Sequence, residues 1–282
     1  SVVIAPDQLI AGEHLAETGP ELTTVRHYQE LDARPRLRGR IHLAAAVVSV
    51  AALVWLVMVA TTPRAEVAAW IYGLSAIACY ATSATYHVYA RTPGARRRWR
   101  QADHAMIYVL IAGTATPMYL LAASGMWRWL MFSLMWAGAA LGIVLKVLSM
   151  ERFRTMGWVL YIGLGWTGLA LLPYFWAQPR LLALVVAAGV TYTVGAVLFA
   201  LGRPNPLPRW YGYHEVWHTL GVAAGAIFFV AILPLVQVQL QNISDLNLDS
   251  TYKPWSGPTT CIQTVGLADV RLINRVAVLL HL

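Results

Sequence analysis

"RPRLRGRIHLAAAVVSVAALVWLVMVA", residues 34–60, is the stretch whose reading decides the fold. Arg34, Arg36, Arg38 and Arg40 crowd its opening, and from His42 to Ala60 there is no acidic residue, lysine or arginine. Nineteen such residues wound as a helix cover most of the ~30 Å hydrocarbon core of a bilayer. A helix is the element that satisfies its own backbone hydrogen bonds there. A cluster of arginines directly ahead of an apolar run is the signature of a cytoplasmic flank.

The pattern recurs along the chain. Seven apolar segments lie near 42–60, 67–90, 104–123, 127–147, 157–177, 180–201 and 214–236. Pro117, Pro173 and Gly221 fall inside them, and membrane helices accept both residue types. The 282 residues are 58% hydrophobic and 12% charged, against about 25% charged in soluble domains. Between Ala33 and Ser244 the acidic residues are Glu66, Asp103, Glu151 and Glu215 alone. A water-soluble globular domain is excluded. The expected fold is an all-α integral membrane protein, a seven-transmembrane helix bundle.

Basic residues orient it. Fifteen lie before the first segment or in the second, fourth and sixth connections, and the alternate connections hold only Arg64, Arg128 and Arg180. This asymmetry predicts a cytoplasmic N-terminus and a C-terminus outside. Residues 1–40 form a polar cytoplasmic segment with no visible signal peptide, 41–236 the bundle, and 237–282 a tail of largely polar, irregular sequence. The closing "VRLINRVAVLLHL" has the pattern of a short interfacial amphipathic helix. The net charge of +8 is thus topogenic and suited to anionic lipid, with no nucleic-acid partner expected. Cys79 and Cys261, far apart, suggest neither a disulfide framework nor a cysteine zinc site.

Ionisable residues within spans are costly and face the bundle interior, so each needs a reason. The orientation brings Ser83 and His87, Asp103 and His104, and His214, Glu215 and His218 to one depth near the cytoplasmic face. Ser83 and His87 are four residues apart, as are His214 and His218, which puts each pair on one helix face. Gly221 and Gly225 continue the second pair's stripe, and Gly138 and Gly142 form another; both suit close helix packing within a bundle or between two. Three imidazoles with an open fourth position are the ligand set of a catalytic zinc site, and His87, His214 and His218 can supply it. Asp103 can orient a ligand or accept a proton, and Ser83 can donate a hydrogen bond beside it. The plainer readings are an N-cap for Asp103, a back-bonded helix serine for Ser83, and interfacial side chains for His42 and His104.

Within this region "HEVWH", His214 to His218, matches the metalloprotease signature letter for letter. Such enzymes take a third ligand from further along the chain. No glutamate follows Glu215, and Asp245, Asp249 and Asp269 all lie in the tail. The third ligand must come from upstream, with His87 the best-placed residue, and that is not a zincin arrangement.

"RPRLRGRIHLAA", "SATYH", "DHAMIYVLIAGTATPMYL" and "YGYHEVWHTLG" together resemble the bacterial haemolysin III family, within the wider progestin and adipoQ receptor superfamily. The resemblance runs from about Arg34 to Val236, with the motifs in order. It implies a bacterial cell membrane and a seven-helix bundle with zinc near the cytoplasmic leaflet, ligated by His87, His214 and His218, with Ser83 and Asp103 beside it. It also implies, through relatives similar to alkaline ceramidases, a zinc-dependent hydrolase of lipid amides or esters. Glu215 stands where related proteins often carry Gln, so it is the weaker proton acceptor, behind Asp103. Two alternatives stand beside the hydrolase: a membrane-homeostasis sensor in which zinc is a structural staple, and a pore-forming haemolysin.

Overall fold

The computed structural model describes residues 35–148, 154–176 and 178–237, and side chains outside 149–158. The tail from 238 onward, with its amphipathic segment and Cys261, lies outside the described residues, as do residues 1–34. Helices make up the described part, with no strand there beyond a single antiparallel bridge between Leu207 and Tyr211.

Helix α1 is Arg40–Val59 and α2 is Pro63–Ala84, which runs on through a π-helical turn, Thr85–Tyr89. Helix α3 is Pro93–Pro117, extended by a second π turn, Met118–Ala122. Helix α4 is Gly125–Leu148 and α5 is Arg154–Trp166, followed by a 3-10 turn, Thr167–Leu171, and a last helical turn, Leu172–Phe175. Helix α6 is Pro179–Leu201 and α7 is Tyr213–Gln237. Six of these rods, all but α5, are long and apolar enough to cross a membrane. In the segment expected as the fifth of seven, the apolar helical run is Val159–Phe175, shorter and broken by the 3-10 turn ahead of Pro173. Proline has no N–H to donate and clashes with the carbonyl four residues back, which accounts for the break.

The helix starts are written in the sequence. Thr62 accepts a hydrogen bond from the Ala65 N–H at 3.1 Å with Pro63 just behind it, and Thr92 repeats this with Ala95 at 3.3 Å and Pro93. Gly202 ends α6 in the left-handed region, φ 64°.

Each helix packs on its sequence neighbour, and α7 closes the bundle by lying against α6, α1, α2 and α3. The inner faces use small residues: Ala65, Ala68, Ala69, Ala112, Ala139, Ala188 and Ala224 are fully buried. Small side chains let backbones approach in a solvent as apolar as the core itself. Large apolar residues face outward instead, among them Val47 and Val48 at 68% and 67% exposed, and Trp55. In water that surface would be an aggregation liability; against lipid tails it is the matching solvent. Both glycine stripes are filled within the one chain. A Cβ on Gly225 would come 2.5 Å from the Tyr80 hydroxyl, and one on Gly138 2.7 Å from Leu164. Gly142 receives the Tyr108 ring in the same way.

Candidate metal centre

The site sits where the N-terminal ends of α1 and α7 meet the C-terminal end of α2 and the N-terminal half of α3. Asp103 is eleven residues into α3, because that helix begins in the arginine-rich stretch of residues 93–100, about three turns ahead of the apolar run. His87 is carried by the π turn at the end of α2, where the Ala90 N–H bonds back to the Thr85 carbonyl, five residues earlier, at 3.0 Å. Such widened turns recur at functional sites because they reorient a side chain that a regular helix would aim elsewhere. His214 and His218 lie one turn apart on α7.

These three histidines converge. One ring nitrogen from each falls within 4.8 Å of the others. Nε2 of His87 and Nε2 of His214 are 3.2 Å apart, and the ring centroids are separated by 4.7 Å for His87–His214, 5.1 Å for His87–His218 and 4.6 Å for His214–His218. Two nitrogens bound tetrahedrally to one zinc at 2.0–2.1 Å would stand about 3.3 Å apart. The donor set suits that metal, and the His87–His214 pair has its spacing. His218 is sealed in the core, and Nδ1 of His87 is buried with no hydrogen-bond partner.

A carboxylate adjoins the imidazoles. Oδ2 of Asp103 lies 3.9 Å from Nε2 of His87. Ser83, 2% exposed on α2, adjoins the Asp103 side chain of α3. The structure thus brings together Ser83, His87, Asp103, His214 and His218. His104, beside Asp103 and partly buried, is not a member of the histidine cluster. Cys79 is a buried free thiol in the apolar cluster with Ala45, Ala46, Ala76, Tyr80 and Leu110.

Glu215 faces a different task. It is 1% exposed, one oxygen pairs with Nε of Arg38, and the other accepts the Gly212 N–H at 2.8 Å. That second bond is half of a capping box: the third residue of α7 reaches back to the amide just ahead of the helix. The first bond anchors the chain entering α1. Alongside it, Arg36 N–H and Leu37 N–H donate to the carbonyls of Arg209 and Trp210 at 3.1 and 3.2 Å, and the Arg36 guanidinium lies 4.5 Å from the Trp210 ring centre. Gly39 ends this strap with φ 77°, pressed against His87 so closely that a Cβ would stand 2.6 Å from the His87 Cβ. Only glycine suits that backbone conformation and that approach.

Sequence reasoning missed this strap. Arg36 and Arg38 were counted for their charge alone, and His42 was read as interfacial. The available signal was the glycine between two arginines just ahead of a span, and a histidine in the first turn of an otherwise apolar run.

Fold and site together define a class: a polytopic helical membrane protein with a trihistidine cluster and an adjoining, partly exposed carboxylate at one end of the bundle. The family model described as "Haemolysin-III related" matches residues 32–230. The chain belongs to the haemolysin III family, as its motifs implied. It is 30% identical over 197 residues to "Hemolysin-3" of Bacillus cereus, covering 68% of this chain and 87% of that one. It is 27% identical to "Hemolysin-3 homolog" of Bacillus subtilis (strain 168), covering 68% and 89%. It is also 25% identical over 171 residues to "Monocyte to macrophage differentiation factor" of Homo sapiens, covering 59% and 69%.

Proposed function

We propose that His87, His214 and His218 hold a zinc ion and that the site hydrolyses a lipid amide or ester. In this reading the chain crosses a bacterial plasma membrane seven times, with its N-terminus and the site on the cytoplasmic side. The arginine asymmetry supports that orientation, since the residues flanking the site end carry most of the basic charge. The observation that carries the function is the carboxylate of Asp103, 3.9 Å from a histidine whose nitrogens group with two others. A partly exposed acid beside three imidazoles is placed to exchange a proton with water as well as to orient a ligand.

Zinc bound there supplies a Lewis acid that polarises a carbonyl. The chain's own residues do the rest. Asp103, its carboxylate oriented by Ser83, accepts a proton from the attacking water and returns it to the leaving amine or alkoxide. The apolar wall formed by the neighbouring helices excludes bulk water, and the bilayer delivers an acyl chain laterally at that depth. Glu215, engaged by Arg38 and Gly212, sets the entry to α7 rather than taking the proton.

A second reading is favoured by one feature: the ligands come from α2 and α7 only, so a metal would staple two helices distant in sequence. It makes zinc structural, in a sensor-like protein. Asp103→Asn separates the two. Zinc content should stay near wild type in both, and hydrolysis of a fluorescent lipid amide or ester in mixed micelles should fall about 100-fold or more if Asp103 is the general base. Unchanged turnover, or none in wild type, would favour the staple.

A further inference from the structure

A fourth histidine belongs to this site. His42, in the first turn of α1, is 8% exposed, and its ring is stacked on that of His218 with centroids 3.8 Å apart and planes 20° from parallel. Its other face is limited by Tyr80, with centroids 5.1 Å apart. Tyr80 in turn lies in the apolar cluster on which Tyr192 of α6 packs, and its hydroxyl sits on Gly225 of α7. The column Tyr80–His42–His218 therefore ties α2, α1 and α7 together, and its last ring is the most deeply buried of the trihistidine cluster.

The ring face, not a nitrogen, makes this contact. Nδ1 of His42 is buried and has no hydrogen-bond partner. Leaving such a group unpaired costs on the order of 1–3 kcal/mol, so no bond at that atom explains the residue's position. What His42 does supply is a flat aromatic surface that limits how far the His218 imidazole can turn about its last side-chain torsion. A ligand imidazole has to present its nitrogen lone pair along one direction, and that direction is set by the plane of the ring. Among metal-binding histidines this orienting task commonly falls to a hydrogen bond from the second ring nitrogen; His218 makes no such bond among the described residues.

We propose that His42 is a positioning residue for His218: it fixes the ring plane by stacking and so sets the affinity and geometry of the metal centre without being a ligand. The proposal rests on the trihistidine cluster being a metal site. Its test is cobalt(II) titration of the metal-stripped full-length protein in detergent, read by the visible d–d absorption, for wild type and three variants. His42→Phe keeps a flat ring and forfeits no hydrogen bond at Nδ1; cobalt affinity within about three-fold of wild type and an unchanged spectrum are expected. His42→Ala removes the ring, and His42→Leu fills the space without a flat face. Both should lose about 10-fold or more in affinity, the range seen when a ligand's orienting partner is removed, and both should shift the spectrum.

His42→Leu keeps the test valid if the alanine variant does not fold. A leucine variant with wild-type affinity and spectrum would overturn the proposal, as would a phenylalanine variant that falls as far as leucine, which would move the role to a nitrogen. Wild type that takes up no cobalt would overturn the metal reading itself and His42's role with it, an outcome distinct from a wild type that binds and variants that do not differ.

Discussion

Gly39→Ala tests how the strap and the site are built together. Two costs add at this position. The backbone stands at φ 77°, in the left-handed region, where an alanine costs about 1–2 kcal/mol relative to glycine. The new Cβ would also stand 2.6 Å from the His87 Cβ and 2.9 Å from Val88 Cγ2. The Cβ of His87 cannot rotate away, since it is fixed to the backbone of the π turn, so relief requires moving the strap or the turn by about 1 Å to regain a contact near 3.5–4.0 Å. Overpacking of this kind costs about 1–3 kcal/mol. The sum is about 2–5 kcal/mol, and the displaced residue is itself one of the three clustered histidines. Thermal unfolding of the purified protein in detergent should show a midpoint lower by about 5–15 °C, together with weaker metal binding. Gly94→Ala is the matched control, because a Cβ there meets nothing within 4 Å and the backbone is helical. It should be neutral. A Gly39→Ala protein as stable as Gly94→Ala, with the same metal affinity, would refute the close packing of strap on His87.

Other perturbations follow from the same contacts. Arg38→Met leaves the Glu215 carboxylate, 1% exposed, without its cation, and should lower unfolding stability by about 3–5 kcal/mol; the double variant with Glu215→Leu should recover part of that loss in a double-mutant cycle. Ser83→Ala removes a buried hydroxyl beside the partly exposed Asp103 carboxylate and should cost about 0.5–1.5 kcal/mol by denaturant titration. Gly142→Val drives a side chain into the Tyr108 ring between α4 and α3, and should cost folded yield and stability without altering metal stoichiometry in the protein that does fold.

Much of this arrangement was legible in the sequence because lipid imposes simple rules. A run such as residues 42–60 has few structures open to it in a bilayer. Any ionisable residue in such a run must turn inward, so Ser83, His87, Asp103, His214 and His218 announced themselves as a group. That they meet at one end of the bundle followed from the alternating direction of successive helices. What the sequence concealed depends on local departures from regular geometry. The four-residue spacing of Ser83 and His87 suggested one uniform helix face, yet a π turn begins at Thr85 and re-aims His87, and no residue pattern marks it. The letters of "HEVWH" could not tell a glutamate beside a metal from one that caps its own helix and holds Arg38, since both tasks want a carboxylate at the third helical position. His42 was hidden by its own ambiguity. A single histidine at a helix end is commonly interfacial, and only the packing of α1 on α7 brings its ring onto His218.

Metal content tests the central claim most directly. Elemental analysis of detergent-purified protein should find about one zinc per chain in wild type, and none in His87→Ala or His214→Ala variants that retain the helical circular-dichroism spectrum. A folded wild type that carries no zinc and takes none up when it is supplied would contradict the account, and the three histidines would then be only a packed polar cluster between α2 and α7.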